Sequence, residues 1–224
     1  FPFGFFSAPV KEQGFDSNLP LESMYLVSLA ILVLSLFLLY FYRDPQRTIE
    51  SGIVSPADGL VQRAEIKKGM VYFSIFMNVH NVHVNRSPFD GRVISIKHKS
   101  GGYLPAFSKD SDKNERLLTK IETSIGMMKV IQIAGVLVRR IVSYVKPNYE
   151  VAKGERIGLI HFGSRVDLSF ESAGIDICVK KGDKVLAGQK LANYTPLSSL
   201  STSEKIFEVP KRMFSKLQAS QSED

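Results

Sequence analysis

The chain holds one cysteine, Cys178, so no intramolecular disulfide can form. Cys178 lies in an apolar run with Ile175, Ile177 and Val179, which predicts a buried structural thiol. Metal-site spacing is missing too. There is no His-Glu-x-x-His and no cysteine pair, so no metal is expected. No Gly-rich phosphate loop occurs, which argues against a nucleotide cofactor. The net charge is +7, but no aromatic-and-basic recognition motif accompanies it, so nucleic acid is not an expected partner. The Gly-x-Ser-x-Gly elbow of α/β hydrolases is absent around Ser164.

What is present begins with one long uncharged stretch. The run from Met24 to Tyr42, MYLVSLAILVLSLFLLYFY, would make roughly 28 Å of helix, close to the hydrocarbon thickness of a bilayer. Tyr25, Tyr40 and Tyr42 stand near its ends, as interfacial aromatics do. A transmembrane helix is therefore predicted over 23–42, between a flanking segment 1–22 and a soluble domain 43–224. Arg43, Arg47, Arg63, Lys67 and Lys68 follow the run, while the other flank mixes Lys11 with Glu12, Asp16 and Glu22. The positive-inside rule puts the soluble domain on the cytoplasmic side.

After Pro45 the pattern changes to short runs rich in β-branched residues and broken by Gly, Pro and Asp. A mainly β architecture, sandwich- or barrel-like, is expected. Nine strands are predicted, from Leu60–Ile66 to Ile175–Val179, among them Val136–Tyr144. Two internal echoes support this reading. Ser55-Pro56-Ala57-Asp58-Gly59-Leu60-Val61 recurs as Ser87-Pro88-Phe89-Asp90-Gly91-Arg92-Val93, and Val151–Ile157 recurs as Val179–Val185. Each echo reads as a tight turn feeding a strand. The second resembles the turns of biotinyl- and lipoyl-type sandwiches. The polar stretch Lys99–Asn114 reads as a long loop, and the tail after Ser198 as peripheral.

Candidate chemistry gathers at three places. Gly163-Ser164 is the only Gly-Ser pair. A serine in a strained turn can attack the preceding carbonyl, convert the peptide to an ester, and by elimination and hydrolysis leave a pyruvoyl group. His80 and His83 lie three residues apart and admit three readings: metal ligands, strand-end residues, or proton-transfer groups. Asp58 is a turn aspartate, and local chemistry does not separate it from its echo Asp90.

Together these pieces resemble the phosphatidylserine decarboxylases, in particular their short prokaryotic branch. Six segments carry the likeness in order: Phe41-Tyr42-Arg43-Asp44-Pro45, Ser55–Gly59, the His80/His83 segment, Asn114-Glu115-Arg116, Gln132–Gly135 with Arg139-Arg140-Ile141, and Gly158–Arg165. The family's Leu-Gly-Ser-Thr is here Phe162-Gly163-Ser164-Arg165. The resemblance implies self-cleavage between Gly163 and Ser164, giving a β chain to 163 and an α chain 164–224 that begins with a pyruvoyl cofactor derived from Ser164. It implies that His83 and Asp58 form a triad with Ser164 during cleavage, and that His80 serves decarboxylation. The implied reaction turns phosphatidylserine into phosphatidylethanolamine through a Schiff base on the pyruvoyl group. The implied partners are the membrane, its phospholipid and a second copy of the chain as a dimer. Arg139, Arg140 and Arg165 are candidates for the lipid phosphate. Two rivals remain. A membrane-anchored serine hydrolase would keep Ser164 as a hydroxyl. A non-enzymatic lipoyl-like adaptor would need a lysine at a hairpin tip, to which Met127-Met128-Lys129 is the nearest approach.

Overall fold

A computed structural model describes residues 21–102, 114–135, 140–161 and 163–195. It divides into two units, 1–40 and 41–224. The first contributes most of helix α1 (Leu21–Phe41), long and apolar enough to cross a membrane. Its serines do not break that character. The Ser28 and Ser35 hydroxyls donate to the Met24 and Ile31 carbonyls, 2.8 and 2.7 Å away, so neither needs an outside partner.

The second unit is built of strands. In order they are β1 (Ile53–Val54), β2 (Gly59–Lys67), β3 (Met70–Met77), β4 (Val84–Arg86), β5 (Gly91–Lys99), β6 (Arg116–Thr123), β7 (Gly126–Ile133), β8 (Ile141–Ser143), β9 (Glu150–Val151), β10 (Arg156–Ile160), β11 (Ser164–Glu171), β12 (Ile175–Ile177), β13 (Lys184–Val185) and β14 (Lys190–Tyr194). One large sheet has the order β13-β2-β3-β11-β7-β6-β5-β9. Two small sheets, β1-β14-β12 and β4-β10-β8, complete it. Alternation along the central strands turns Phe73, Ile75 and Met77 of β3, and Val166, Leu168 and Phe170 of β11, into one core.

The echoes prove to be a structural repeat. Gly59 pairs with Val185 and Gly91 with Val151. Both β2 and β5 shift register two residues past that glycine, after Val61 and Val93. The Ser55 and Ser87 hydroxyls donate to the Ala57 and Phe89 carbonyls. Asp58 accepts the Ala187 N–H and Asp90 the Lys153 N–H, each at 2.8 Å. The first echo is thus matched residue for residue. The second is matched at a different offset: Val151–Ile157 corresponds to Val185–Leu191, not to Val179–Val185. The turn ahead of it explains the shift. Gly182 and Asn148, both at positive φ, donate to the Val61 and Val93 carbonyls from equivalent places.

One half of the domain is therefore β1–β3 with β11–β14, and the other, β4–β10, is inserted within it. The Cys178 expectation fails. Ile175, Ile177 and Val179 pack against the core, so strand alternation sends Cys178 outward, where it is exposed. Within Val136–Tyr144 only Ile141–Ser143 is strand, and 136–139 lie outside the described residues.

The repeated glycines have no room for a side chain. A Cβ on Gly59 would lie well inside contact with the Phe76 carbonyl oxygen, and one on Gly91 would do the same at Glu122. Gly59→Ala and Gly91→Ala are each expected to cost about 3 kcal/mol, against about 1 for Gly69→Ala in the open β2–β3 turn. Urea unfolding of the three variants checks this; equal small losses would contradict it.

Candidate active site

The site lies where the chain passes between the two halves. Residues 78–83 lead from β3 into the inserted half, and residues 161–163 lead from β10 back into β11. The two crossings meet, because the Ile160 N–H donates to the His83 carbonyl at 3.3 Å.

The first crossing is a tight turn built by its asparagines. The Asn81 N–H donates to the Asn78 carbonyl at 2.9 Å, and the Asn81 side-chain oxygen accepts the Asn78 N–H at 2.8 Å. The turn sends its two histidines to different surroundings. His80 is exposed and lines a cleft of about 420 Å³ with Asn78, Asn81, Phe76, Lys184 and Leu186. His83 is fully buried, its ring 4.4 Å from that of Phe41.

His83 Nδ1 lies 2.9 Å from the Asn81 carbonyl oxygen. A carbonyl can only accept, so the proton sits on Nδ1 and Nε2 presents a bare lone pair. No hydrogen bond reaches Nε2 from the described residues. Burial pushes the His83 pKa down to about 4, and the Arg43, His161 and His80 charges add to that, while the Asn81 bond opposes it. The imidazole is thus a neutral, preset acceptor at physiological pH.

Ser164 opens β11 and is likewise fully buried, its hydroxyl without a hydrogen-bond partner among the described residues. Gly163 before it sits at φ +56, a left-handed conformation that side chains resist. Among the described residues, His83 on the first crossing and Ser164 just after the second are both buried with their reactive atoms left unfilled.

Asp58 does not touch His83. Its Oδ2 lies 2.5 Å from the Arg47 guanidinium and its Oδ1 accepts from Ala187. The place of an orienting carboxylate on His83 is taken by the Asn81 carbonyl. What separates Asp58 from Asp90 is burial and Arg47: Asp58 is 3% exposed, whereas Asp90 faces solvent. Of the three arginine candidates, two fall among the described residues. Arg165 points to the face of β11 opposite Ser164 and pairs with Asp167 at 2.8 Å. Arg140 is exposed. Arg139 lies outside the described residues. Among the described residues no three of His, Cys, Asp and Glu come together as metal ligands.

Several neighbours were not singled out as site residues by sequence reasoning. Tyr42 shares a 2.9 Å hydrogen bond with His161 Nδ1, and Arg43 donates to the His80 carbonyl at 2.6 Å. Burial, then the Arg140 charge, lowers the His161 pKa. Their signal was present in the Phe41–Pro45 and Gly158–Arg165 segments, which carry the resemblance, but Tyr42, Arg43 and His161 have no such chemistry legible by themselves.

A family model for phosphatidylserine decarboxylase matches residues 34–193, most of the chain and all the strands just described except the end of β14. The chain belongs to the phosphatidylserine decarboxylase family. A protein of Methanococcoides burtonii, provisionally named an archaetidylserine decarboxylase proenzyme, is 51% identical over 70% of this chain and 75% of its own. The phosphatidylserine decarboxylase proenzymes of Streptomyces avermitilis and Thermobifida fusca are 48% and 46% identical, over 67% and 73% of this chain and 71% and 76% of their own. Among solved structures, the glucose permease IIA of Mycoplasma capricolum covers 62% of this chain and 92% of its own at 16% identity and a TM-score of 0.39, too loose a likeness to build on.

The depressed His83 pKa has a thermodynamic consequence. Between its ordinary 6.5 and about 4 the unfolded chain binds a proton that the folded one refuses. Stability therefore falls as pH drops through this window, by about 3 kcal/mol in all, and His83 contributes nothing above it. Thermal unfolding at pH 7.5 and 4.5 is expected to show a smaller acid loss in His83→Leu than in the wild type. Equal losses would show that His83 titrates normally.

Proposed function

We propose that the protein decarboxylates phosphatidylserine, or its ether-lipid counterpart, using a pyruvoyl group made from its own Ser164. The observation that carries this reading is that a buried serine hydroxyl, directly after a left-handed glycine, and a buried imidazole nitrogen on the neighbouring crossing are both left without a hydrogen-bond partner among the described residues. The names of the relatives supply the reaction class and the word proenzyme.

In this reading His83 Nε2 takes the Ser164 proton as Oγ adds to the Gly163 carbonyl carbon. The C–N bond breaks and an ester joins Gly163 to Oγ. Removal of the residue-164 α-proton expels the Gly163 carboxylate and leaves dehydroalanine. Water then replaces nitrogen, which departs as ammonia, and a ketone remains at the head of the 164–224 chain. The site suits the group: the residue that would bear it is buried and fixed in a central strand. Once formed, the pyruvoyl group supplies an electron sink for loss of CO2 from an amino-acid headgroup. His80, exposed at the cleft, would return a proton to the carbon that loses CO2. Asp58 acts at a distance from His83: it ties the 185–191 turn to Arg47 and the start of β2.

The membrane helix would hold this chemistry at the lipid surface, with the catalytic domain on the cytoplasmic side as the flanking charges suggest. A serine hydrolase is less well supported, because no carboxylate orients His83. A lipoyl-like carrier is less well supported as well, because Lys129 lies in β7 and not at a hairpin tip.

Two measurements test the reading. Intact mass should show wild-type protein as two pieces, the smaller being 164–224, and Ser164→Ala as one inactive chain. His83→Ala should remain uncleaved, and His80→Ala should cleave yet release CO2 from phosphatidylserine at least about 100-fold more slowly. An intact wild-type chain that still releases CO2 would overturn the assignment. The pH profile of self-cleavage is a separate check. A base with a pKa of about 4 stays active from pH 8 to 5 and loses rate only toward pH 4. A midpoint near 6.5 would mean that another base is at work.

A further inference from the structure

Two buried carboxamides lie beside Ser164 and take no part in the steps above. In the large sheet β11 runs between β3 and β7. Asn85 touches both flanking strands. Its Oδ1 accepts from Gln132 Nε2 of β7 at 2.7 Å, and its Nδ2 lies 3.5 Å from the Met77 sulfur of β3. Met77 is the register partner of Ser164, and Gln132 that of Val166. Register partners share a face, so Met77, Ser164, Val166 and Gln132 all point the same way. The Asn85 carboxamide must therefore cross β11 over the Ser164–Val166 stretch.

This arrangement is built and incompletely satisfied. Asn85, Gln132 and Ser164 are each 0% exposed. Gln132 Oε1 has no hydrogen-bond partner among the described residues, and the Asn85 donor meets only a thioether, a weak acceptor. Gly158, the register partner of Asn85, makes the space: a Cβ there would stand 2.9 Å from Gln132 Nε2. Buried polar atoms left open in this way call for a use. On the same face, the Ser164 hydroxyl is a donor without an acceptor, and Gln132 Oε1 an acceptor without a donor.

We propose that Asn85 and Gln132 form a carboxamide clamp over β11, a pair of positioning residues that act through Ser164. Gln132 holds the hydroxyl in a single rotamer, turned toward the Gly163 carbonyl, until its proton passes to His83. Asn85 fixes Gln132 and closes the space above it. The proposal rests on reading Ser164 as the residue that cleaves its own chain.

The test follows the appearance of the two pieces by intact mass in freshly made wild type, Gln132→Leu, Asn85→Ala and the double variant, with thermal melting to confirm folding. The single variants are expected to fold and to cleave about 10- to 100-fold more slowly. Because the pair acts as one unit, the double variant should be no slower than the slower single. Gln132→Glu keeps the volume and guards against misfolding of the others. Its ionised carboxyl cannot donate to Asn85 and its protonated form can, so cleavage should recover as pH falls from 8 to 5, where the wild type stays flat. Folded variants that cleave at the wild-type rate, a double variant whose slowing is the product of the singles, or a wild-type pH profile in Gln132→Glu would each overturn the clamp alone. A wild-type chain that never cleaves would overturn the role of Ser164 and the clamp with it.

Discussion

Backbone pairing between segments far apart in sequence is the constraint on which the rest depends. The chain around residues 50–61 and the chain around residues 182–190 bond to each other repeatedly. Glu50 N–H donates to the Gly188 carbonyl, Ser55 N–H donates to the Gln189 carbonyl while the Ser55 carbonyl accepts from Gly188 N–H, and Val61 is locked between Asp183 and Gly182. Asp58 and Glu50 add side-chain acceptors for Ala187 and Lys190. Ser55, Val61, Ala187 and Gly188 are buried, and leaving their amides open would cost far more than the modest net value of making the bonds. The inserted half repeats the device with Ser87, Asp90 and Gly154. Ile49 lies where the two copies meet, against both Gly154 and Gly188.

That frame explains why the reactive groups fall where they do. A half inserted into another half creates two crossings, and these must lie side by side. The crossings carry His80 and His83 on one pass and His161 and Gly163 on the other, with Ser164 next. The position of His83 is set by the turn that precedes it, its tautomer by a carbonyl within that turn, and its low basicity by the Phe41 ring and the burial around it. No carboxylate is needed to orient it.

The apolar run became α1 with its boundaries moved by one or two residues, since nineteen uncharged residues leave little alternative. The long strands were legible from β-branched alternation. The short β1, β4, β9 and β13 were not, because strands of two or three residues are fixed mainly by their partners, and the five-residue β14 was missed as well. The Ser55 and Ser87 echo was visible because a serine, a proline, an aspartate and a glycine each answer a local backbone demand. The second echo was misaligned because Val-x-Lys-Gly recurs within the very turn that precedes the true match. Cys178 was misjudged because the apolar residues around it were read as a run and not as one face of a strand. The candidate site residues Ser164, His80 and His83 were legible as a Gly-Ser pair and a histidine segment. The Asn81 carbonyl, Arg47, Asn85 and Gln132 were not, since their significance comes from contacts set by the folded backbone, from two residues away for Asn81 and His83 to 47 for Asn85 and Gln132. Arg165 shows the converse: a basic residue beside the key serine in sequence lies across the sheet from it in space.

The setting of Ser164 at the head of an interior strand bears on what a nick in front of it would do. New chain ends usually fray, because nothing beyond them holds the last residues down. Here residues 164–171 are laddered to β3 by eight register pairs, and 165–169 to β7 by five. A terminus made at this point would be born already stitched on two sides. It would keep its aim without a loop to steady it, and severing the chain would loosen nothing at the spot where the new end has to work.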